Sequence, residues 1–531
     1  MASFFDLGSV FGEQRDKPIE RFLVFFGFRE SHKRTAFPKC QNTFCMMSTA
    51  ATLNAVPFPI QASELSDSLS TTSVLTVNDR HVLALLGKNK NKVLILIQRE
   101  KKFFSSLRGV YEKRSHEFGL VAFVPEGARK NIKPETERCF DWIVFYDDSN
   151  TVYDVAKSLD DIHIPSLHLF ADKLVDLVPS EKIQLIHTEE TSMSEVCRVR
   201  EKFGLKGTYI DDVKHMRSKE LVYQRAVETG IPVAKSVYVD FPHRSDCHGI
   251  FKDVIDGLQS FPMFAKPTMM AGGLGGAKLN SEEDLKNWIE ALVEDEDKTS
   301  YVVQKFLNGR EFTVVCLLLP NGTWVPLAVK YYLGVSNYEC IFQGKPLVVT
   351  SEQFEVANRT SFPNVYNFAK SVIEAFQPVH PQMFMVQGFQ AKAGENNYVL
   401  NEMSYRPASE KVNTLFHASC GIDQFSALIL SHMDPTFYPT PSKDWQPEIV
   451  TRIWYANKAG ILRCQNEEPQ KPYIDGQITA YWFVNEGDKI KAAKECEEMM
   501  VSLHLKSSSI EERDRDVEWI CKNWAPDVKA M

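Results

Sequence analysis

The chain has 531 residues, a formal net charge of −8 and charged side chains at 24% of its positions. That length is more than one ordinary core takes up and predicts about three domains. The negative balance argues against a general nucleic-acid binder.

In chain order, short apolar runs come first: "RFLVFFGF" (21–28), "KVLILIQ" (92–98), "FGLVAFVP" (118–125), "DWIVFYDD" (141–148) and "KIQLIHT" (182–188). Amphipathic or charged segments such as "EKKFFSSLRGVYEKRSHE" and "NTVYDVAKSLDDI" separate several of them, which predicts βαβ units and a largely parallel sheet. Residues 61–80, rich in Ser, Thr and Asp, read as a surface loop. A capped helix is expected over 188–207, ending near Gly204 or Gly207, and another from Ser218 that stops at Gly230. A strand entered through Pro232 follows, then "FPMFAKPTMMAGGLGGAKL" (261–279), a helix from 280 and the strand "SYVVQKFL" (300–307). Segments 310–319 and 323–333 read as a hairpin around Asn321–Gly322. A helix near 361–376 precedes two strands, "MFMVQGFQAK" and "NNYVLNEMS", joined at Gly394. The last ninety residues read as strands "EIVTRIWYA" and "QITAYWFV" with a helix over "KIKAAKECEEMMVSL".

Eleven cysteines follow no paired framework, and Cys40 and Cys45, the closest pair, lack the second pair that a zinc site needs. Reduced thiols are expected. The start "MASFFDLGSVFGEQRDK" has neither the basic opening nor the sustained apolar core of a signal peptide, and no window nears the roughly 20 apolar residues of a membrane span. A cytoplasmic protein without membrane partners is the expectation.

The chemistry concentrates after residue 215. Lys266 closes an apolar run, and Gly272, Gly273, Gly275 and Gly276 follow it. Glycine loses more freedom on ordering than any other residue, so four in five positions imply a backbone that must approach something closely, such as a polyphosphate. Two lysines and a nest of backbone N–H groups suit such a ligand. Glu402 sits between "YVL" and Met403 on a strand expected to be buried on one side, where a carboxylate needs a partner and a metal is an economical one. His417 and Cys420 admit a Cys–His nucleophile and His243, Cys247 and His248 a zinc site, but a structural helix and a plain loop are the preferred readings. Read singly, Lys219 is an exposed helix lysine, Glu311 a strand cap and Arg406 a surface partner of Glu410.

Taken together, these segments resemble the ATP-grasp superfamily of carboxylate–amine or carboxylate–thiol ligases, in particular its carnosine synthase-like members, over about residues 180–435. The resemblance implies an α/β protein: a Rossmann-like N-terminal (pre-ATP-grasp) domain over 1–207, an ATP-grasp domain over 208–440 with an α+β lid subdomain at about 233–305, and a small α/β C-terminal domain over 441–531. It further implies ATP held by Lys219 and Lys266, covered by Gly272, Gly273, Gly275 and Gly276, with Gln304, Lys305 and Leu307 lining the adenine and Glu311 gripping the ribose. Gln387, Glu402 and Ser404 would hold Mg²⁺ or Mn²⁺, and Arg406 with Lys266 would act in catalysis. Two positions depart from the family pattern, Gln304 where glutamate is usual and Ser404 where asparagine is. The implied reaction activates a carboxylate as an acyl phosphate and joins it to an amine, with small-molecule partners and a homodimer as the first expectation. A catalytically weak nucleotide-binding scaffold and a biotin-type carboxylase, the latter from Arg406 and Glu410, stand as alternatives.

Overall fold

A computed structural model describes residues 90–98, 107–147 and 163–530, apart from 271, 297, 467, 471 and 495–497. The expected strand 21–28, the loop 61–80, the segment 150–162 and the Cys40–Cys45 pair lie outside the described residues.

Four strands, β1 (Lys92–Ile97), β2 (Phe118–Pro125), β3 (Trp142–Tyr146) and β4 (Ile183–His187), pair in parallel in the order β3-β2-β1-β4. Both faces are apolar because both are covered. Val93, Ile95 and Val121 pack under the helices Pro165–Leu177 and Glu190–Phe203 through Phe170 and Val196. Leu94, Leu96 and Leu120 turn the other way and share a core with Leu428 and Ile429 of the helix Gln424–Met433. The helix Glu190–Phe203 ends as the sequence predicts, on Gly204 at φ 62°.

The next sheet is antiparallel: β5 (Ser236–Val239), β6 (Met263–Pro267), β7 (Ala277–Leu279) and β8 (Tyr301–Lys305), ordered β5-β8-β6-β7. The helices Cys247–Leu258 and Glu282–Glu294 cover one face, burying Ile250, Val254, Leu285 and Ile289 on Met263, Ala265 and Val303. Phe264, Lys266 and Gln304 alternate onto the uncovered face.

The largest sheet is built from β9 (Arg310–Leu318), β10 (Trp324–Tyr332), β11 (Leu347–Gln353), β12 (Gln382–Gln390), β13 (Tyr398–Ser404) and β14 (Ile449–Ala456). After β15 (Gly460–Cys464), it is completed by β16 (Gln477–Trp482) and, beyond β17 (Lys489–Ile490), by β18 (Met499–Ser507). Its order is β13-β12-β9-β10-β11-β14-β18-β16, antiparallel throughout. β15 instead pairs with β17 and with β19 (Asp527–Lys529). Phe312, Val314 and Cys316 face the helix Val365–Phe376, whereas Val315, Leu317 and Met385 face Leu415 and Phe416 of the helix Glu410–Cys420. The β9–β10 hairpin turns at Gly322, φ 84°, where the Asn-Gly pair predicts.

One expectation fails. The segment 489–503 is not a helix: 489–490 form β17, and 499–507 form β18, with β14 on one side and β16 on the other. Lys, Ala and Glu favour a helix locally, but Leu503 and Leu505 are fully buried only because two strands flank them. The helix of this region lies later, at Ile510–Asn523, started by Ser509, whose hydroxyl accepts from the Glu512 N–H at 3.1 Å.

Phe312 anchors one end of the large sheet's core; it is fully buried and meets the rings of Phe362, Phe368 and Tyr398 at 5.2, 6.1 and 5.3 Å. Phe312→Ala is expected to cost about 3–5 kcal/mol in urea unfolding; a loss below about 1 kcal/mol would contradict this packing.

Candidate active site

The site begins with the register of four strands. Gln387 pairs with Glu402 on one side and with Thr313 on the other, and Thr313 pairs with Lys330. Directly paired residues share a sheet face. Glu402, Gln387, Thr313 and Lys330 therefore form one polar row across β13, β12, β9 and β10. Val315, Leu317, Met383 and Met385 continue the same face as apolar core, so the row lies where that core ends.

A β-bulge at Gln387/Gly388 shapes the row's edge. Gln387 opposes Glu402 but Gly388 opposes Leu400, leaving Asn401 as the extra residue on β13. A Cβ on Gly388 would lie 2.8 Å from the Val399 carbonyl oxygen and 3.0 Å from a Phe312 ring carbon, so only glycine fits here. Tyr398 and Leu400 before the bulge and Met403 and Tyr405 after it all face the same core. Asn401 and Glu402 are both left to the opposite face.

Lys266 reaches this edge from β6. Its ammonium donates to the Asn401 side-chain oxygen at 3.0 Å and to the Asn401 carbonyl at 3.3 Å, and the residue is 9% exposed. Burial pulls its pKa down to about 8; Glu402 and Glu311 oppose that shift and the charge of Lys219 adds to it. Lys219, at the start of the helix Lys219–Glu228, donates through its ammonium to the Met270 carbonyl and through its backbone N–H to the Thr268 carbonyl. Glu311, the second residue of β9, has its carboxyl pushed up to about 7 by burial, against the pull of Lys330. The structure thus brings Lys219, Lys266, Glu311 and Glu402 into one electrostatic cluster, with Gln387 beside Glu402.

The glycine loop joins β6 to β7. Gly272, Gly273 and Gly275 have φ of 68°, 81° and 69°, which side chains rarely adopt. A Cβ on Gly275 would sit 2.7 Å from Pro267, and one on Gly273 would touch Ile341 of the helix Asn337–Gln343 at 3.4 Å. Gly276 closes the turn by donating to the Gly273 carbonyl. Part of the glycine content therefore serves the turn itself.

Gln304 is buried opposite Phe264, Leu307 is half-buried and Lys305 is exposed. Around them stand Phe264, Phe306 and Tyr338, with ring centroids 6.3 and 5.7 Å from Phe264, and Lys278 lies 4.1 Å over Phe306. Ser404 is buried opposite Met385, two residues from Glu402 on the same face. Arg406 is the outlier. Its Nε lies 3.3 Å from Glu190, at the start of the helix that follows β4, and the same guanidinium donates to the Pro407 carbonyl at 2.9 Å.

The Cys–His reading fails on geometry. Cys420 is buried with its thiol pushed up to about 12, at the end rather than the start of a helix, and His417 is exposed. The eight cysteines among the described residues are unpaired. Cys247 opens a helix instead of lying in a loop, with His243 held by Asp240. Sequence reasoning missed Lys330, Asn401 and Glu190. A lysine inside "PLAVKYY" was the available signal for the first; nothing local marks the other two.

Glu311 gives a pH test on ligand-free protein. Because its folded-state pKa is raised, its stabilising contribution is full below about 4.5 and is lost as pH rises toward 7. Glu311→Gln is expected to flatten the decline of the melting temperature between pH 5 and 8; an unchanged slope would show that Glu311 titrates normally.

No family model matches the chain. Over 118 residues it is 33% identical to a D-alanine–D-alanine ligase of Staphylococcus saprophyticus, a stretch covering 21% of this chain and 32% of that relative. The chain therefore spans about a third of the length of the curated relative it matches. The fold is similar to an L-amino acid ligase from Bacillus licheniformis (TM-score 0.53, 13% identity, 81% of this chain and 98% of that one). It is equally similar to an N5-carboxyaminoimidazole synthetase from Staphylococcus aureus complexed with ADP (TM-score 0.53, 14% identity, 82% and 98%). These matches do not single out the carnosine synthase-like branch. The mixed α/β architecture, with its parallel N-terminal sheet, small antiparallel sheet and large antiparallel sheet, is shared with these two enzymes across most of the chain.

Proposed function

We propose that the chain is an ATP- and Mg²⁺-dependent carbon–nitrogen ligase that activates a small carboxylate as an acyl phosphate and joins it to an amine, an amino acid or similar small metabolite. The observation that carries this reading is the polar row Glu402–Gln387–Thr313–Lys330 facing the buried Lys266. Lys266, Lys219 and Lys330 supply positive charge for a polyphosphate, and the glycine loop supplies a backbone that can close over it. Glu311 suits a ribose: near neutral pH its carboxyl can donate as well as accept. Phe264, Phe306 and Tyr338 offer flat apolar surface to a base beside Gln304, Lys305 and Leu307.

Hard oxygen donors from Glu402, Gln387 and Ser404 fit Mg²⁺, with Mn²⁺ an allowed substitute. The ion would neutralise charge on the β and γ oxygens as the phosphoryl group leaves. Arg406, fixed by Glu190, presents a guanidinium for a substrate carboxylate or its acyl phosphate. Closure of the β6–β7 loop keeps water from that intermediate. The similarity to an amino acid ligase and to a synthetase complexed with ADP supports the same class.

A second reading, a catalytically weak nucleotide-binding protein, is favoured by Ser404, whose short side chain lies buried against Met385. The discriminating experiment titrates the protein with ATP, with and without Mg²⁺, and follows ADP release with mixed amino acids. Lys266→Ala and Glu402→Ala are expected to lower ADP formation at least about 100-fold while the melting transition persists. Full turnover by either variant overturns the ligase assignment. Magnesium-dependent ATP binding without turnover, together with ADP release gained on Ser404→Asn, selects the second reading.

A further inference from the structure

A cavity of about 330 Å³ lies at the far end of β9 from Glu311. It opens among the first residues of β1 and β2 (Lys92, Phe118), Lys182 just before β4, Pro320 in the β9–β10 turn, and the residues leading into β12. β9 runs its whole length between Glu311 and this end, roughly 25 Å at the usual rise per residue.

The lining is unbalanced in charge. Lys92, Lys182, Arg200 and Lys206 stand against one carboxylate, Glu181, among the described lining residues. Lys92 already pairs with Glu117 at 3.2 Å on the surface. Arg200 is different, since it is 3% exposed. Its terminal nitrogens donate to the Thr208 hydroxyl and carbonyl at 2.6 and 3.1 Å and to the Leu185 carbonyl at 2.6 Å, all neutral oxygens. Its Nε has no hydrogen-bond partner, and no carboxylate pairs with it, among the described residues. The first acidic group acting on it, Cys197, is a thiol whose pKa burial raises. A buried guanidinium without a counter-ion is costly, because desolvation is not repaid by attraction to an opposite charge.

The surroundings are shaped to keep Arg200 in place. Gly207, also in the lining, has φ 131°, and a Cβ there would lie 2.6 Å from Arg200 Nε and 2.8 Å from Cζ. His432, half-buried, contributes an imidazole whose Nδ1 lies 3.1 Å from the Gln184 side-chain oxygen. Burial holds its pKa near 3, so it stays neutral and can serve an anion only as a hydrogen-bond partner.

We propose that this cavity is a second ligand site, separate from the nucleotide region, that takes a small oxyanion of charge −2 or more, with Arg200 as the buried counter-charge and Lys182 and Lys206 at the mouth. Arg and Lys recognise phosphate and carboxylate oxygens alike, so a phosphorylated and a polycarboxylate ligand share the chemistry. Tyr405 lines the cavity and immediately precedes Arg406, which links the occupant to the strand end that carries the candidate active-site arginine.

The test is calorimetric titration of the full chain with pyrophosphate and, in a parallel arm, citrate, both without metal. Lys266→Ala is titrated beside wild type to remove the nucleotide region from the signal. Saturable binding of one anion per chain, kept in Lys266→Ala and weakened at least tenfold in Lys182→Glu/Lys206→Glu, is the expected result. Whichever arm binds more tightly identifies the ligand as phosphate-bearing or polycarboxylate. The double substitution lies on the surface and leaves the core untouched, so it tests the site even if Arg200→Gln fails to fold. Absence of saturable binding in both arms, loss of binding in Lys266→Ala, or wild-type affinity in the double variant overturns the proposal. None of these outcomes depends on whether the chain turns over ATP.

Discussion

Every polar group of the candidate active site depends on the register in which β13, β12, β9 and β10 pair. Glu402, Gln387, Thr313 and Lys330 come from four separate stretches spanning ninety residues, and they meet only because each is opposite the next. Side chains alternate strictly along a strand, so a slip of one residue in any of the three pairings would bury a charge in the helix-facing core. The apolar residues on either side of the row prevent that slip. Val314 and Cys316 belong to one core, Val315 and Leu317 to the other, and neither set can exchange places with a carboxylate.

The second constraint is how the β5–β8 sheet meets the large one. Lys266 leaves its own sheet on the face opposite Met263 and Ala265 and ends on Asn401. A lysine so buried keeps its proton at a cost, and that cost is what a phosphate would relieve. Arg406 makes the corresponding link on the far side, from the end of β13 to Glu190 at the carboxyl end of the parallel sheet. That is where open α/β sheets place their ligands. The site is therefore assembled by three sheets, with the large one as its floor.

Much of this was legible in the sequence. The β9–β10 hairpin follows from Asn321–Gly322, the turn after β6 from its glycines, and the helix end at Gly204 from its left-handed glycine. Lys219, Lys266, Glu311 and Glu402, named from separate motifs of the sequence, act electrostatically on one another in the fold. What escaped was decided by partners distant in the chain. Residues 489–503 carry helix-forming side chains, yet the vacancy between β14 and β16 claims Met499–Ser507 as a strand, and no local property of the segment encodes those neighbours. Glu190 reads as an ordinary residue in a helix's first turn; its role as the partner of Arg406 comes from a contact across 216 positions.

The bulge on β13 sets a rule about spacing. Counted by strict alternation, Glu402 falls on the same side as Tyr398 and Leu400, inside the helix-facing core, and it escapes only because Asn401 is out of step. The seven residues of β13 are thus a counting device: losing or gaining one between Leu400 and Met403 would invert every side chain on one side of the change while leaving composition almost untouched. Exchange of one polar residue for another at 401 or 402 alters what the site holds, whereas a one-residue change of length abolishes the place in which to hold it. Length between these two core anchors is for that reason a harder constraint on this chain than the identity of the residues it spaces.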